Sequence, residues 1–389
     1  MPNAVDELLL PHFEALMEAA GHPRLFDAHT HVGANDPDGM RQSEAELLAA
    51  LPAPDARALV FPMHEPDGYP LANDVVLDAA ARSGGRLVAL CRVDPRTDAV
   101  GEARRCLDAG ARGIKLHPRA EDFTLSEPAV RELVALAHER EAIVLIHAGR
   151  GIPALGRDTL QLSGEYPDAR LILAHAGISD LAWLWRELPA HPNLFIDTSW
   201  WHPNDLLALF ALVAPGQVLW ASDSPYSDPA YSAVLAARCA IQAGLDERQL
   251  AGVMGAQLGR LVAGEGPADL GRAPGPGPAS AGLDILLDRV AANLTGALFR
   301  AFDHGDPAEP LALARLACAV GEDHPHARVA SEALELLNAY EGAYEPPGPG
   351  RMFPDASRLL VTALVLARTP DVPLPDRPLA PPPVREQAE

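Results

Sequence analysis

Between about residues 25 and 224, the chain alternates short apolar segments, typical of β-strands, with helical segments. Eight such strand segments start roughly 23 to 33 residues apart, which is about the length of one strand–helix unit. Continuous apolar strands separated by helices predict a parallel sheet that is covered on both faces. Eight units in about 200 residues predict an α/β fold, a closed (β/α)₈ TIM barrel, with a doubly wound open sheet as the alternative. The predicted strands span 25–32, 58–63, 86–93, 111–117, 142–148, 170–176, 193–199 and 217–223.

Helix-start signals support the segments between these strands. Ser43 begins one predicted helix, and Ser126 and Pro128 lie near the start of another, because Ser caps helix N-termini and Pro fits the first helical turn. A final pair of helices, 228–243 and 246–263, is expected to close the barrel.

The composition changes after the predicted barrel. Residues 266–281 are rich in Gly, Pro and Ala without any periodicity, and they predict a linker. Apolar residues at helical spacing then return, and the last part of the chain is rich in proline, which favours an extended or disordered tail. The predicted domains are therefore the barrel over 1–265, the linker over 266–281, a helical appendage over 282–369 and the Pro-rich tail over 370–389.

Charge and hydropathy exclude several classes of protein. The net charge of −22 argues against nucleic acid or an anionic membrane as a partner. The chain has no apolar run of the ~18 residues that a membrane-spanning helix needs, and its acidic N-terminal segment does not resemble a signal peptide. Four scattered cysteines without a C-x-x-C motif are typical of a reducing compartment. We therefore expect a cytoplasmic protein that acts on a small molecule.

Five of the predicted strands end in residues that could bind a metal ion or move a proton. Residues two apart on a strand share a face, so His29 and His31 on the first strand point the same way, as do Lys115 and His117 on the fourth. In a barrel the carboxyl ends of the strands form one rim, where active sites lie. Imidazoles together with a carboxylate suit a divalent ion such as zinc. The strand-ending residues that would converge there are His29, His31, Lys115, His147, His175 and Asp223.

This order of residues resembles that of the amidohydrolase superfamily, over roughly residues 24 to 263. The phrases DAHTH, GIKLHP, VLIHAG, ILAHAG and WASDSP are most similar to its amidohydrolase-related branch, which also contains the aminocarboxymuconate-semialdehyde-decarboxylase-like enzymes. The resemblance implies one or two divalent ions, zinc foremost and manganese as the alternative. It does not extend to the helical appendage.

The resemblance also implies a role for each residue. His29 and His31 would bind the first metal, and His147 would be a further ligand. His175 would be a ligand of a second metal or would hydrogen-bond the substrate. Asp223 would bind metal and accept the proton of the attacking water, and Lys115 would become a carbamate that bridges two metals.

Lys115 is the only lysine in the chain, beside thirty arginines. Carbamate formation needs a neutral amine, which burial favours in lysine, whereas arginine stays charged. The retention of lysine at this position therefore favours a chemical requirement, although composition alone leaves chance open.

Three functions remain open. The first is a metal-dependent hydrolase of an amide, ester or lactone bond, and the second is a zinc-dependent decarboxylase on the same barrel, which Lys115 disfavours slightly. The third is a barrel without catalysis, against which the intact ligand set argues. The appendage could be an element that forms a homo-oligomer, a lid over the rim or an unrelated module.

Overall fold

The computed structural model describes residues 4–281, 284–303, 305–346 and 353–376. In this part of the chain, eight strands form an α/β TIM barrel in which each strand pairs in parallel with the next. The third strand is interrupted at Leu90, whose N–H still donates to the Val60 carbonyl at 2.9 Å. The strands are β1 (Phe26–Val32), β2 (Arg57–Pro62), β3 (in two segments, Leu87–Ala89 and Cys91–Arg92), β4 (Gly113–Leu116), β5 (Ile143–Ile146), β6 (Arg170–Leu173), β7 (Leu194–Asp197) and β8 (Val218–Leu219).

Hydrogen bonds between β1 and the segment after β8 close the ring. The Ala28 N–H donates to the Trp220 carbonyl at 3.0 Å, and the Asp223 N–H donates to the His29 carbonyl at 2.8 Å. Thr30 and Ser224 form a parallel bridge at the same level. The closed barrel, rather than the open sheet, is therefore the fold.

Two apolar layers hold the barrel together. Alternate strand residues point inward and form a buried cluster that includes Phe26, Leu59, Leu145, Phe195 and Leu219. The other strand faces pack against the surrounding helices in a second, larger cluster. The interior is thus filled with apolar side chains, and polar residues begin only near the carboxyl ends of the strands.

The helices follow most of the predicted positions. Ser43 caps its helix, with Glu46 completing a capping box, and the helix predicted at 126–141 starts at Pro128 after the cap residue Glu127. The helices are α1 (Ala4–Ala19), α2 (Glu44–Ala50), α3 (Pro70–Arg82), α4 (Ala99–Asp108), α5 (Pro128–Glu139), α6 (Leu155–Glu165), α7 (Leu181–Leu184), α8 (Pro203–Leu212), α9 (Pro229–Ala243), α10 (Glu247–Ala251), α11 (Gln257–Val262), α12 (Pro276–Ala281), α13 (Ile285–Phe302), α14 (Ala308–Ala317), α15 (Ala327–Ala343) and α16 (Ser357–Arg368).

The helix predicted over 246–263 is interrupted between α10 and α11. Residues 252–256 form a π-turn that packs against β1. A Cβ atom at Gly255 would lie 2.4 Å from the Arg24 carbonyl oxygen and 2.7 Å from the Phe26 nitrogen. The backbone of the turn therefore approaches the start of β1 more closely than any side chain at this position would allow.

Helices α13 to α16 form the C-terminal helical region, and α16 packs against α8 and α9 of the barrel. The preceding Gly/Pro-rich segment also lies against the barrel, because Gln257 donates to the Gly216 carbonyl and accepts from the Ala268 N–H at 3.0 Å. Its last residues form α12. The division of the chain into the four predicted domains stays a prediction.

The start of the predicted tail is bound to the barrel. Arg238 of α9 is buried, and it donates to the hydroxyl and carbonyl of Thr369 and to the Pro373 carbonyl, each at 2.9 Å. The predicted tail beyond residue 376 lies outside the described residues. Among the helices that are described, none has the length and apolar character that crossing a membrane requires.

Candidate metal centre

Three of the predicted ligands meet at the carboxyl ends of the barrel strands. His29 and His31 lie on β1, and Asp223 lies four residues after β8. The Asp223 Oδ1 atom is 3.1 Å from His29 Nε2 and 3.0 Å from His31 Nε2. One ligand atom of each residue lies within 4.8 Å of the other two. Ligand atoms around a tetrahedral zinc ion, with bonds of about 2.0–2.1 Å, are roughly 3.3 Å apart, so the three atoms are spaced as ligands of one ion.

The hydrogen bonds of His29 determine which of its nitrogens can bind a metal. His29 Nδ1 donates to Asp197 Oδ2 at 2.9 Å, because an ionised carboxylate only accepts. Nε2 therefore carries a lone pair, which faces Asp223 Oδ1 at 3.1 Å and the Lys115 side-chain nitrogen at 3.2 Å. Two acceptor atoms in contact repel each other unless a proton or a cation lies between them, and a divalent ion is a cation that both groups bind. The His29–Asp223 contact thus fits a divalent ion.

Burial adjusts the charge states of these groups. It lowers the pKa of His29 and of His31 well below the usual value of histidine, and Lys115 acts in the same direction. Burial also raises the pKa of Asp223 to about 7, against the opposing effects of His175 and Lys115. It lowers the pKa of Lys115 to about 7, although Asp223 raises it. Neutral imidazoles are the metal-binding form of histidine.

His147 and His175 form a separate pair beside this group. His175 Nδ1 donates to the Ser199 carbonyl at 2.9 Å, so its Nε2 accepts from His147 Nδ1 at 2.9 Å. The His147 ring stacks on that of His117, with centroids 3.8 Å apart and planes within 11°. His147 Nε2 is buried without a hydrogen-bond partner among the described residues. A Cβ atom at Gly149 would lie 2.5 Å from it, so this atom faces the backbone of its own loop.

The backbone is strained at two of the predicted site residues. His175, Ala176 and Asp223 have φ values of 59°, 55° and 63°, in the left-handed region. Such a conformation costs a residue other than glycine about 1 kcal/mol or more and persists where the surroundings enforce it. Here the strain orients His175 and Asp223 at the ends of their strands, which is typical of functional sites.

Asp197 is a site residue that the sequence analysis missed. It is fully buried, and besides His29 it accepts from the backbone N–H groups of His175 and Ser199 at 3.0 and 2.9 Å. It thereby links β1 to the loops after β6 and β7. The signal was present, because Asp197 ends the apolar strand NLFID as Asp223 ends its own strand.

Arg92 was missed as well. It faces the barrel interior at the end of β3, in register with Lys115 of β4. Its guanidinium donates to Glu121 at 2.6 Å, and the Tyr69 hydroxyl donates to the same carboxylate oxygen at 2.5 Å.

One of the comparisons with solved structures is consistent with the barrel. An uncharacterised TIM-barrel protein from Bordetella bronchiseptica superposes with a TM-score of 0.50 at 12% identity, over 62% of this chain and 99% of that chain. The 2,6-dihydroxybenzoate decarboxylase from Rhizobium gives a TM-score of 0.49 at 15% identity over 62% and 99% of the two chains. The 5-carboxyvanillate decarboxylase from Sphingomonas paucimobilis gives 0.47 at 16% identity over the same shares. At these identities the similarity concerns the fold. No protein with a curated description matches the sequence.

A family model described as amidohydrolase matches residues 14–256. The match covers more than half of the chain and includes all six predicted site residues. It confirms the family that the strand-ending residues indicated, and with it an enzyme of a metal-dependent family. The chain belongs to the amidohydrolase family.

Proposed function

We propose that the protein is a metal-dependent hydrolase, in which activated water attacks an amide, ester or lactone bond of a small molecule. The observation that carries the proposal is the contact of His29 Nε2 and His31 Nε2 with the same oxygen of Asp223. Two imidazole nitrogens and a carboxylate converge there at the rim of a barrel whose family is metal-dependent.

The metal would be held by His29 Nε2, His31 Nε2 and Asp223 Oδ1. When bound, a divalent ion, Zn²⁺ first and Mn²⁺ as the alternative, supplies Lewis acidity that polarises a carbonyl oxygen and lowers the pKa of water. In a site with two ions, His147 would be the further ligand, and Lys115 would take part as a carbamate. Lys115 has no exposed surface, which favours the neutral amine that a carbamate requires.

The side chains of the site would orient the ligands and move the proton. Asp197 holds the His29 ring through Nδ1, so that Nε2 keeps its lone pair. Asp223 uses Oδ1 for the imidazoles, which leaves Oδ2 to take the proton of the attacking water and pass it to the leaving group. The Asp223 side chain is 20% exposed and can therefore meet a substrate. His175 would hydrogen-bond the substrate or bind a second ion.

A decarboxylase on the same barrel is the second candidate. One observation favours it: among the histidine, cysteine and acidic side chains of the described residues, one group of three brings its ligand atoms together, and His147 is not part of it. A site with a single ion does not need a bridging carbamate, so the reaction would break a C–C bond without one.

The test is a metal analysis combined with two substrate panels. The purified protein, reconstituted with Zn²⁺ or Mn²⁺, is assayed with amides, esters and lactones, and separately with aromatic and enoic acids for release of carbon dioxide. We expect stoichiometric metal and hydrolysis, both lost in Asp223→Asn. The matched control is Asp228→Asn, which alters a helix cap on α9 outside the site. Carbon dioxide release without hydrolysis would establish the decarboxylase, and substoichiometric metal after reconstitution would exclude both.

A further inference from the structure

An aromatic cluster joins the helical appendage to the rim of the barrel. Trp201 lies in the loop between β7 and α8, and its ring meets two phenylalanines of α13 edge to face. The Trp201 and Phe302 centroids are 5.2 Å apart at 88°, and those of Trp201 and Phe299 are 5.7 Å apart at 76°. Both arrangements lie within the range of favourable aromatic pairs. The end of α13 therefore packs on a loop that leaves the carboxyl end of a barrel strand.

The appendage fixes this end of α13 from its far side. The Phe302 ring packs against that of Phe353, with centroids 4.3 Å apart. At the other end of the helix, Arg368 of α16 donates to Asp288 in the first turn of α13 at 2.7 Å, and α16 packs against α8 and α9. Phe302 is thus held between Trp201 of the barrel and Phe353 of the appendage.

The same loop reaches the candidate metal centre. The carbonyl of Ser199 accepts from His175 Nδ1 at 2.9 Å. The ring of Trp200 lies with its centroid 6.5 Å from that of His175, and its Nε1 donates to Asp205 Oδ2 at 2.7 Å. Trp200 and Trp201 are neighbours whose rings are 6.3 Å apart. A displacement of Trp201 would therefore shift both Trp200 and the carbonyl that orients His175.

We propose that α13 forms part of the wall of the active site, with Phe299 and Phe302 as positioning residues. They hold Trp201, and through it they set the loop 198–202 that carries Trp200 and the His175 hydrogen bond. The half-buried indole of Trp200 beside His175 would contact a planar or apolar part of the substrate. This substrate role rests on the proposed function, whereas the support of the loop by α13 does not.

The first measurement needs no substrate. Amide hydrogen exchange is followed in Phe302→Ala and in the matched control Leu316→Ala, whose residue lies on α14 and is 71% exposed. We expect exchange in 198–202 to rise about tenfold in Phe302→Ala and to stay unchanged in the control, because loss of packing lowers the cost of local opening. Amide exchange in β1 should be the same in Phe302→Ala as in the wild-type protein. Unchanged exchange at 198–202 in Phe302→Ala would refute the proposal.

The second measurement uses the substrate that the panels identify. Loss of the edge-to-face pair predicts a rise in KM of about five- to tenfold, with kcat and metal content nearly unchanged. Phe302→Leu, which keeps part of the packing, should recover part of the lost affinity. A fall in kcat together with metal loss, without a rise in KM, would contradict the proposal that α13 forms part of the wall of the active site.

Trp201→Ala and Trp201→Phe make the test independent of whether Phe302→Ala destabilises the appendage. Trp201→Ala should reproduce the loop opening and the higher KM, and Trp201→Phe should largely restore both. If Trp201→Ala leaves the loop and KM unchanged, the proposal is wrong. Failure of the proposed function is distinct, because it would appear as absent metal or turnover in the unchanged protein.

Discussion

Replacing Asp197 by Asn should move the proton on the His29 ring and weaken metal binding. The carboxylate accepts through Oδ1 from the N–H groups of His175 and Ser199, at 3.0 and 2.9 Å, and from the Ser199 hydroxyl at 2.5 Å. Its other oxygen accepts from His29 Nδ1. Asn therefore keeps its carbonyl oxygen toward the three donors, which leaves its amide nitrogen opposite His29. An amide N–H there donates to Nδ1, and the ring proton moves to Nε2, the atom that should bind the metal.

The expected loss follows from the role of such partners in metal sites. Replacing a hydrogen-bond partner of a metal-binding histidine typically costs 10- to 100-fold in metal affinity, or about 1.4–2.8 kcal/mol. Here the loss of metal affinity should lie toward the upper end, because the His29 proton must return from Nε2 to Nδ1 before Nε2 can bind the metal. The apoprotein should lose about 1–2 kcal/mol of folding stability, since an ionised acceptor becomes a neutral one.

The assay is a competition between the apoprotein and a chromophoric chelator for Zn²⁺, with thermal unfolding of the same samples. Asp168→Asn is the matched control, because Asp168 lies 3.2 Å from His138 in a pair at the protein surface. We expect normal zinc affinity in the control and the large loss in Asp197→Asn. Wild-type zinc affinity in a folded Asp197→Asn protein would refute the assignment of His29 Nε2 as a ligand.

Three further predictions concern the same site. Lys115→Arg should reduce kcat/KM by ~100-fold or more, because a larger, permanently charged side chain would contact His29 in a fully buried position. The control Arg140→Lys, at the C-cap of α5, changes an exposed pair with Asp108 and should stay near normal; near-normal turnover of Lys115→Arg would show that lysine is not required at position 115. Gly149→Ala should displace the His147 ring, whose Nε2 lies 2.5 Å from the new Cβ position, so that kinetics show lower turnover and thermal unfolding shows a destabilisation of about 1–3 kcal/mol. Unchanged kinetics would show that the His147 ring has no role in the reaction. Dialysis against a chelator should abolish activity, and added Zn²⁺ should restore it. The free energy of unfolding should fall by about 2.7 kcal/mol if the free metal had been 100-fold above its Kd, and full activity after verified metal removal would contradict a metal-dependent reaction.

Much of the site was predictable because its signals are local. Each of the six predicted residues ends or follows an apolar strand, and closing the barrel brings the strand ends to one rim. His29, His31 and Asp223 meet there. The roles of Lys115, His147 and His175 stay predictions. Asp197 carried the same local signal and could have been included.

Other features depended on contacts that no local pattern records. The break at 252–256 arises because Gly255 must pass close to Arg24 and Phe26, which are far away in sequence. Helical spacing predicted an unbroken helix there, because the approach of β1 is invisible in the segment itself. The helical appendage was predicted as helices, but its packing against Trp201 could not be.

The sequence by itself determined the eight strand–helix units, the order of their polar strand ends and, through its resemblance, the family. The units follow from short apolar segments that alternate with helical ones, a pattern that local geometry converts into strands and helices. The tertiary structure decided which nitrogen of His29 keeps its lone pair, through a carboxylate 168 residues away. It also decided where the appendage meets the rim. Both depend on atoms that only the closed barrel and its packed helices bring within contact distance. Such contacts do not produce a periodic pattern in the sequence.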